Sequence, residues 1–196
     1  MGATCGLFAV NHAIAAGVAL AVTGACYFQV SAFEHNAVPA SIADAPENLV
    51  QPGGSNYDWS VLHRNLQIAG LLSHPMTPAS LQGDTPSESR LQYPFVYHYF
   101  DGMAFTVVAY ILRTPTAGGH WIALLPPATA SMQQNAASAA LLCDSLWPQA
   151  FILSQPETED LLTACALDNA GHPQQYDHGY NLQWGCFLIT SSGRPL

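Results

Sequence analysis

The stretch CGLFAVNHAIAAGVALAV, residues 5–22, decides how the chain is organised. It is apolar except for Asn11 and His12, and the apolar run that it begins is long enough to cross a bilayer at about 20 residues. Gly17 and Gly24 interrupt that run, however, and no lysine or arginine flanks either end. We therefore expect a buried helix over residues 5 to about 22, and no association with a membrane.

The chain as a whole is poor in charge. Its 196 residues carry a net charge of −9, with four arginines and no lysine. Binding to nucleic acid needs basic residues that displace counterions from phosphates, so we expect no nucleic-acid partner. An apolar content of 49% indicates a single globular domain over residues 1–196, and we expect a monomer.

The cysteines predict free thiols rather than a disulfide framework. There are five of them, widely spaced and without a CxxC pair, which is typical of a reducing compartment. The eight histidines show no zinc-ligand spacing, so we expect no metal site and no cofactor. Four of the cysteines interrupt apolar segments, and we expect them to be small buried side chains: Cys26, Cys143, Cys165 and Cys186.

The rest of the chain reads as helices followed by an antiparallel sheet. In NYDWSVLHRNLQIAG, residues 56–70, apolar side chains recur at helical spacing between a capping Asp58 and a terminating Gly70. Runs rich in β-branched and aromatic residues predict strands, whereas residues 73–92 have no periodicity and predict a loop. The strands are expected at 103–112, 120–126, 139–146, 149–153 and 181–189.

SQPE, residues 154–157, is a capping box that predicts a helix to about residue 167. This helix lies between predicted strands, and no internal repeat or second domain is visible. The order of elements indicates the α+β class.

Cys5 is the best nucleophile candidate, because it stands where the first helix begins. The helix dipole and the free N–H groups there favour a thiolate, and Thr4 is a plausible cap. A cysteine nucleophile also needs a general base. His12 lies seven residues further along the helix, about 10 Å away, and is out of reach.

His120 is the strongest candidate for the base, since it begins a strand directly after Gly119. Trp121 beside it could cover the site from solvent. Asp144 ends the next predicted strand, 24 residues later, and a hairpin can bring it to the second ring nitrogen of the histidine. Trp121 and Cys143 are each one residue away from this pair and would point to the opposite face of the sheet.

With these residues in place, the chain resembles the Josephin family of papain-like cysteine proteases, which are deubiquitinases. The similarity is spread over most of the chain in the family's order, with weak identity between the blocks. The blocks are CGLFAVNHAI (5–14), GSNYDWSVLHRNLQIAGL (54–71), GGHWIALLP (118–126), LLCDSL (141–146) and HGYNLQWGCFLI (178–189).

The resemblance implies a papain-like α+β fold in which Cys5 is the nucleophile, His120 the base and Asp144 the orienting acceptor. Asparagine is more usual than aspartate in the family. The family also places an oxyanion-hole glutamine about five residues before the cysteine, whereas four residues precede Cys5 here. Other donors, a longer natural chain or poor activity would each account for that difference.

The family selects substrates with a helical arm that leans over the cleft, and residues 30–57 would supply it here. We expect exposed apolar side chains there, Phe33, Ile42 and Leu49, to meet the apolar patch of ubiquitin, with Gly119 and Trp121 lining the cleft. The alternative is that the arm's apolar residues close the core.

Three functions follow as hypotheses. The first is a deubiquitinase that cleaves after ubiquitin's C-terminal glycine through a cysteine thioester. The second is a papain-like protease for another ubiquitin-like modifier or a viral polyprotein, and the third is an inactive ubiquitin-binding module. The resemblance implies the cytoplasm or nucleus of a eukaryotic cell, or the host cytosol if the protein is a microbial or viral effector.

Overall fold

The computed structural model describes residues 4–36, 57, 59–76, 97–100, 103–114, 120–126, 140–171 and 185–191. This part of the chain forms four helices and seven strands. The helices are α1 (Cys5–Ala19), α2 (Val30–Asn36), α3 (Trp59–Ile68) and α4 (Gln155–Gly171). The strands are β1 (Leu71–Pro75), β2 (Tyr97–Phe100), β3 (Met103–Thr114), β4 (His120–Leu125), β5 (Ala140–Cys143), β6 (Phe151–Leu153) and β7 (Gly185–Ser191).

The strands form one antiparallel sheet. Six of them lie in the order β1-β7-β3-β4-β5-β6, and β2 pairs with β3. The predicted α+β class is confirmed, with helices before the sheet and α4 placed between strands in the chain.

Helices cover both faces of the sheet. Because side chains alternate along a strand, β4 sends Trp121 and Ala123 into the core that α1 and α3 close. Ile122 and Leu124 enter a second core, to which α4 contributes Leu162 and Cys165. Trp121 and Cys143 share a face of the sheet, since both lie in the core on the α1 side.

Helix α1 is buried, as the sequence predicts, but it ends at Ala19, three residues before the expected end. Thr4 occupies the N-cap position, yet its side chain makes no capping hydrogen bond to the helix. Within the described segments, no helix has the length and apolar character needed to cross a membrane.

The polar Asn11 in this apolar helix has a structural explanation. Its side-chain N–H donates to the carbonyl of Phe28 at 3.0 Å, and its Oδ1 accepts from the Phe28 N–H at 2.9 Å. An amide side chain can satisfy both groups of one peptide in this way. Asn11 therefore holds the segment that leads into α2 against α1.

Helix α3 matches its predicted face. Trp59, Leu62, Leu66 and Ala69 are all buried. The helix ends at Ile68, and Gly70 follows it with a φ of 78°, in the left-handed region that glycine adopts without strain. Asp58, the predicted cap, lies outside the described residues.

Half of the capping box of α4 forms, since Glu157 reaches back to Ser154, while the Ser154 hydroxyl donates to the Glu157 carboxylate instead of accepting from the Glu157 N–H. The backbone N–H and the hydroxyl of Ser154 both donate to Glu157 Oε2, at 2.8 and 2.6 Å. The helix continues to Gly171, beyond the predicted end near residue 167.

Two strands depart from the prediction. Residues 71–75 form β1, which pairs with Phe187–Ser191 of β7. The last three of these residues fall in the loop that was predicted for 73–92. Strand β2 is also absent from the prediction. Strand β1 pairs with a strand more than a hundred residues later, so local periodicity gave little signal for it. Strand β2 pairs with β3, which follows it directly, but its four residues are too few to show a period.

Candidate active site

Cys5 is the first residue of α1, and it is 4% exposed. The helix comes very close to its neighbours at the next position, Gly6. A Cβ on Gly6 would lie 2.8 Å from Leu62 Cδ1 and 3.3 Å from Tyr57 Cδ2. The absence of a side chain at Gly6 therefore lets the start of α1 pack directly on α3 and β4.

Burial raises the pKa of the Cys5 thiol above its ordinary value. Three backbone N–H groups oppose this effect, those of Trp121, Gly6 and Cys5 itself, and the charge of Arg113 adds a smaller lowering. Burial outweighs them, so the thiol is protonated at neutral pH in this structure. The helix start thus provides the expected donors, while the packing around it counteracts them.

His120 and Asp144 form the pair that the sequence predicts. His120 Nε2 lies 2.6 Å from Asp144 Oδ1, and the two side chains are 13% and 15% exposed. A carboxylate can only accept a hydrogen bond, so this contact places the proton of a neutral ring on Nε2. Nδ1 is then the nitrogen with a lone pair for a proton from the nucleophile.

The hairpin of β4 and β5 brings these two residues together. Ala123 lies opposite Cys143 in this ladder, so the end of β5 reaches the start of β4. A turn after the strand then fixes the carboxylate, because Asp144 Oδ1 also accepts from the Leu146 N–H at 2.8 Å. Asp144 therefore contacts the histidine from a position that its own backbone turn defines.

Trp121 lies between Cys5 and the His120–Asp144 pair. It follows His120 directly, and its backbone N–H is one of the groups that lower the pKa of the Cys5 thiol. The predicted nucleophile is therefore adjacent to the residue that follows the predicted base. Cys5 and His120, both within the described residues, are not hydrogen-bonded to each other, and such contacts often tighten only when substrate binds.

A polar network surrounds this position. The Trp121 Nε1–H donates to the carbonyl of Tyr57 at 2.8 Å, and the Tyr57 hydroxyl donates to Glu34 Oε1 at 2.9 Å. The guanidinium of Arg113 lies over the Trp121 ring, 5.3 Å from its centroid. Burial, the hydrogen bond to Glu34 and the nearby charges of Glu34 and Cys5 raise the pKa of Tyr57 well above its usual range.

Sequence reasoning missed the roles of Tyr57, Arg113 and Glu34. Tyr57 lies in the NYD block that carries the family resemblance, and Arg113 lies in β3 directly opposite Trp121. The chain has four arginines, and Arg113 lies in a strand. Its charge within an apolar strand was the signal that the sequence offered for a role at the site. Glu34 had no such signal, because it is an exposed acidic residue among thirteen Asp and Glu.

The prediction for Phe33 as an exposed contact is wrong. Phe33 is fully buried, and its ring packs edge-on against Tyr57 at a centroid distance of 5.0 Å. It closes the core between α2 and α3, the alternative that the sequence left open. Trp121 is also buried, so its side chain belongs to the core and does not form an exposed contact surface. Gly119, Ile42 and Leu49 lie outside the described residues.

The other cysteines match their prediction with one exception. Cys143 and Cys165 are buried thiols, and burial raises the pKa of Cys143. Cys26 is free but exposed, since α1 ends before it and the chain continues along the surface. The side chain of Cys186 lies outside the described residues.

No protein-family model matches this sequence, and no curated protein is significantly similar to it. The resemblance to the Josephin family therefore depends on the sequence motifs alone. The case for cysteine-protease chemistry depends on the geometry of Cys5, His120 and Asp144.

Proposed function

We propose that the protein is a Josephin-like cysteine protease that removes ubiquitin by cleaving the bond after its C-terminal glycine. The observation that carries the proposal is the 2.6 Å contact of His120 Nε2 with Asp144 Oδ1, next to a cysteine at a helix start. A nucleophile, a base and a base-orienting carboxylate are the three groups that thiol proteolysis needs.

In the proposed reaction, His120 Nδ1 takes the proton of the Cys5 thiol as the sulfur attacks the carbonyl carbon of the terminal glycine. The tetrahedral intermediate collapses as the imidazolium donates that proton to the leaving amine, which leaves ubiquitin as a thioester on Cys5. Water then attacks the thioester, with His120 again removing a proton, and the carboxylate of ubiquitin and the free thiol are released.

Asp144 supports each proton transfer by holding the ring and stabilising its cationic form. Backbone N–H groups at the start of α1 are suited to the oxyanion, because the first turn of a helix leaves them without intrahelical partners. Those of Cys5 and Gly6 already lower the pKa of the thiol.

The test is a set of ubiquitin and ubiquitin-like probes that carry a C-terminal electrophile. We expect the ubiquitin probe to label the protein at Cys5, and Cys5→Ala to abolish both labelling and hydrolysis of a ubiquitin C-terminal amide. Cys26→Ala is the matched control, because Cys26 is the exposed free thiol that a non-specific electrophile would modify. Labelling of Cys26 instead of Cys5 would contradict the proposal.

A second candidate function is a ubiquitin-binding module without activity. It is favoured by the burial of Cys5 and by the raised pKa of its thiol, which both oppose nucleophilic attack. Tight binding of ubiquitin that Cys5→Ala leaves unchanged, together with no turnover by the unaltered chain, would support this function over the enzyme.

A further inference from the structure

An exposed apolar patch lies directly beyond Asp144. We call it the β5–β6 patch. It consists of Leu146, Trp147 and Phe151, which are 65%, 58% and 38% exposed. The rings of Trp147 and Phe151 meet edge-on at 5.7 Å, so the patch is an ordered surface of contacting side chains. A contiguous group of large apolar side chains on a surface marks an interaction site more often than scattered single ones do.

The patch is physically tied to the candidate active site. The Leu146 N–H donates to Asp144 Oδ1 at 2.8 Å, and the Trp147 N–H donates to the Asp144 carbonyl at 3.1 Å. The turn that aims the carboxylate at His120 therefore also positions the first half of the patch. The second half belongs to β6, an edge of the sheet, where Phe151 lies opposite Leu142 of β5.

We propose that the β5–β6 patch docks the globular body of ubiquitin while the ubiquitin tail reaches Cys5. The inference rests on the proposed function, since it assigns the substrate-docking surface of that same site. The β5–β6 patch also takes the docking role that the sequence suggested for Phe33, which is buried and cannot contact a partner.

The charges around the patch favour this occupant. Helix α4 follows β6 and presents Glu157, Glu159 and Asp160, all exposed. The arginines that the structure describes, Arg64 and Arg113, lie on α3 and β3 instead. An apolar surface with an acidic rim is complementary to an apolar patch with a basic rim, and that is the surface this proposal requires of ubiquitin.

A second copy of this chain is a poorer occupant on the same grounds. Each copy would bring the same acidic rim, and each has a net charge of −9. Like charges placed together across an interface oppose association.

The experiment measures binding and turnover separately in the full chain. For the binding titration with ubiquitin, Trp147→Ala and Phe151→Ala are each combined with Cys5→Ala. For turnover, each variant is tested alone on two substrates, a full-length ubiquitin amide and a short peptide amide of the ubiquitin tail. We expect the Kd and KM for ubiquitin to rise by about tenfold or more, as for aromatic residues central to an interface. We expect kcat/KM for the tail peptide to stay within about twofold, because the peptide lacks the docking body.

Tyr27→Ala is the matched control. Tyr27 is 61% exposed but belongs to the segment between α1 and α2 and not to β5, β6 or the turn between them, so we expect its substitution to leave all three constants unchanged. Asp160→Lys tests the acidic rim without altering an apolar contact. We expect it to raise the Kd at low ionic strength, with the difference shrinking at high salt.

The outcomes are distinguishable. If the unaltered chain cleaves ubiquitin and both patch variants do so with unchanged KM, the docking surface is wrong and the proposed function stands. If the unaltered chain neither binds nor cleaves ubiquitin, both proposals fall. If the unaltered chain dimerises and Trp147→Ala makes it monomeric, the patch belongs to a second copy and the inference is overturned.

Discussion

Cys5 combines a helix start, which stabilises a thiolate, with a buried position, which destabilises one. The two effects have opposite signs, and burial is the larger of the two in this structure. A nucleophile that is protonated at rest is activated only when a base takes its proton during the reaction. The pH dependence of thiol reactivity therefore tells how Cys5 and His120 cooperate in the resting protein.

We predict that alkylation of Cys5 by iodoacetamide accelerates steadily between pH 6 and 8. Because burial raises the pKa of the thiol, the thiolate fraction grows about tenfold for each pH unit below that pKa. The rate is measured by mass spectrometry of the Cys5 peptide in a Cys26→Ala background. A rate that is already flat below pH 7 would instead indicate a preformed thiolate–imidazolium pair.

Gly6 sets the position of Cys5 through close packing. We predict that Gly6→Ala slows labelling of Cys5 by the ubiquitin probe by about 10², because the new methyl group pushes the helix start away from Leu62 and Tyr57. Overpacking of this kind costs about 1–3 kcal/mol, against about 1 kcal/mol gained in helix propensity.

The control for this prediction is Gly24→Ala, since nothing lies within 4 Å of a Cβ there. Labelling rates and thermal unfolding of both variants are compared with the unaltered chain. Equal labelling by the two glycine variants would mean that the helix start is less tightly constrained than the contacts of Gly6 indicate.

At the scale of elements, Asn65 joins α2 to α3. It is fully buried, and its side-chain N–H groups donate to the carbonyls of Phe33 at 3.0 Å and Val61 at 2.9 Å. Its Oδ1 accepts from Asn36 Nδ2 at 3.0 Å. These bonds and the burial of Phe33 dock α2 beside the candidate active site.

We predict that Asn65→Ala lowers the free energy of unfolding by about 2 kcal/mol, because it leaves the buried carbonyl of Phe33 without this donor. Urea unfolding monitored by tryptophan fluorescence measures the loss. Gln67→Ala on the exposed side of the same helix is the control and should change stability by less than about 0.5 kcal/mol. Equal losses in the two variants would contradict the structural role of Asn65.

Elements with strong local signals were predictable. Helix α3 has a complete apolar face with a glycine stop, and α4 has a capping box, so each could be recognised within its own residues. Strand β1 could not, because Leu71–Pro75 is short, contains polar residues and becomes a strand by pairing with β7, more than a hundred residues later. The His120–Asp144 pair was predictable because a hairpin is a local structure.

At the scale of the whole molecule, the lysine-free composition bears on the proposed function. Lysine is the usual acceptor of ubiquitin, and a protein that works among ubiquitin ligases gains from having none. Compositional drift is the competing explanation, and the two make different predictions for the lifetime of the protein in cells.

We predict that Gln29→Lys together with Gln67→Lys shortens the half-life of the protein in eukaryotic cells. Both positions are exposed and lie away from Cys5, His120 and Asp144 in the chain. The matched control is Gln29→Arg with Gln67→Arg, which adds the same charge without an acceptor amine. A pulse–chase experiment compares the two, and equal half-lives would leave composition as the explanation.

The sequence by itself determined the features that depend on neighbouring residues. These include the buried helix that begins at Cys5, the antiparallel sheet, and the hairpin that carries His120 and Asp144. Only the tertiary structure decided which surfaces stay exposed. Phe33 is buried and Trp147 is exposed, although both are large aromatic residues. Local periodicity reports which side of an element is apolar, whereas burial depends on distant segments that cover it, and the protonation of Cys5 depends on that burial.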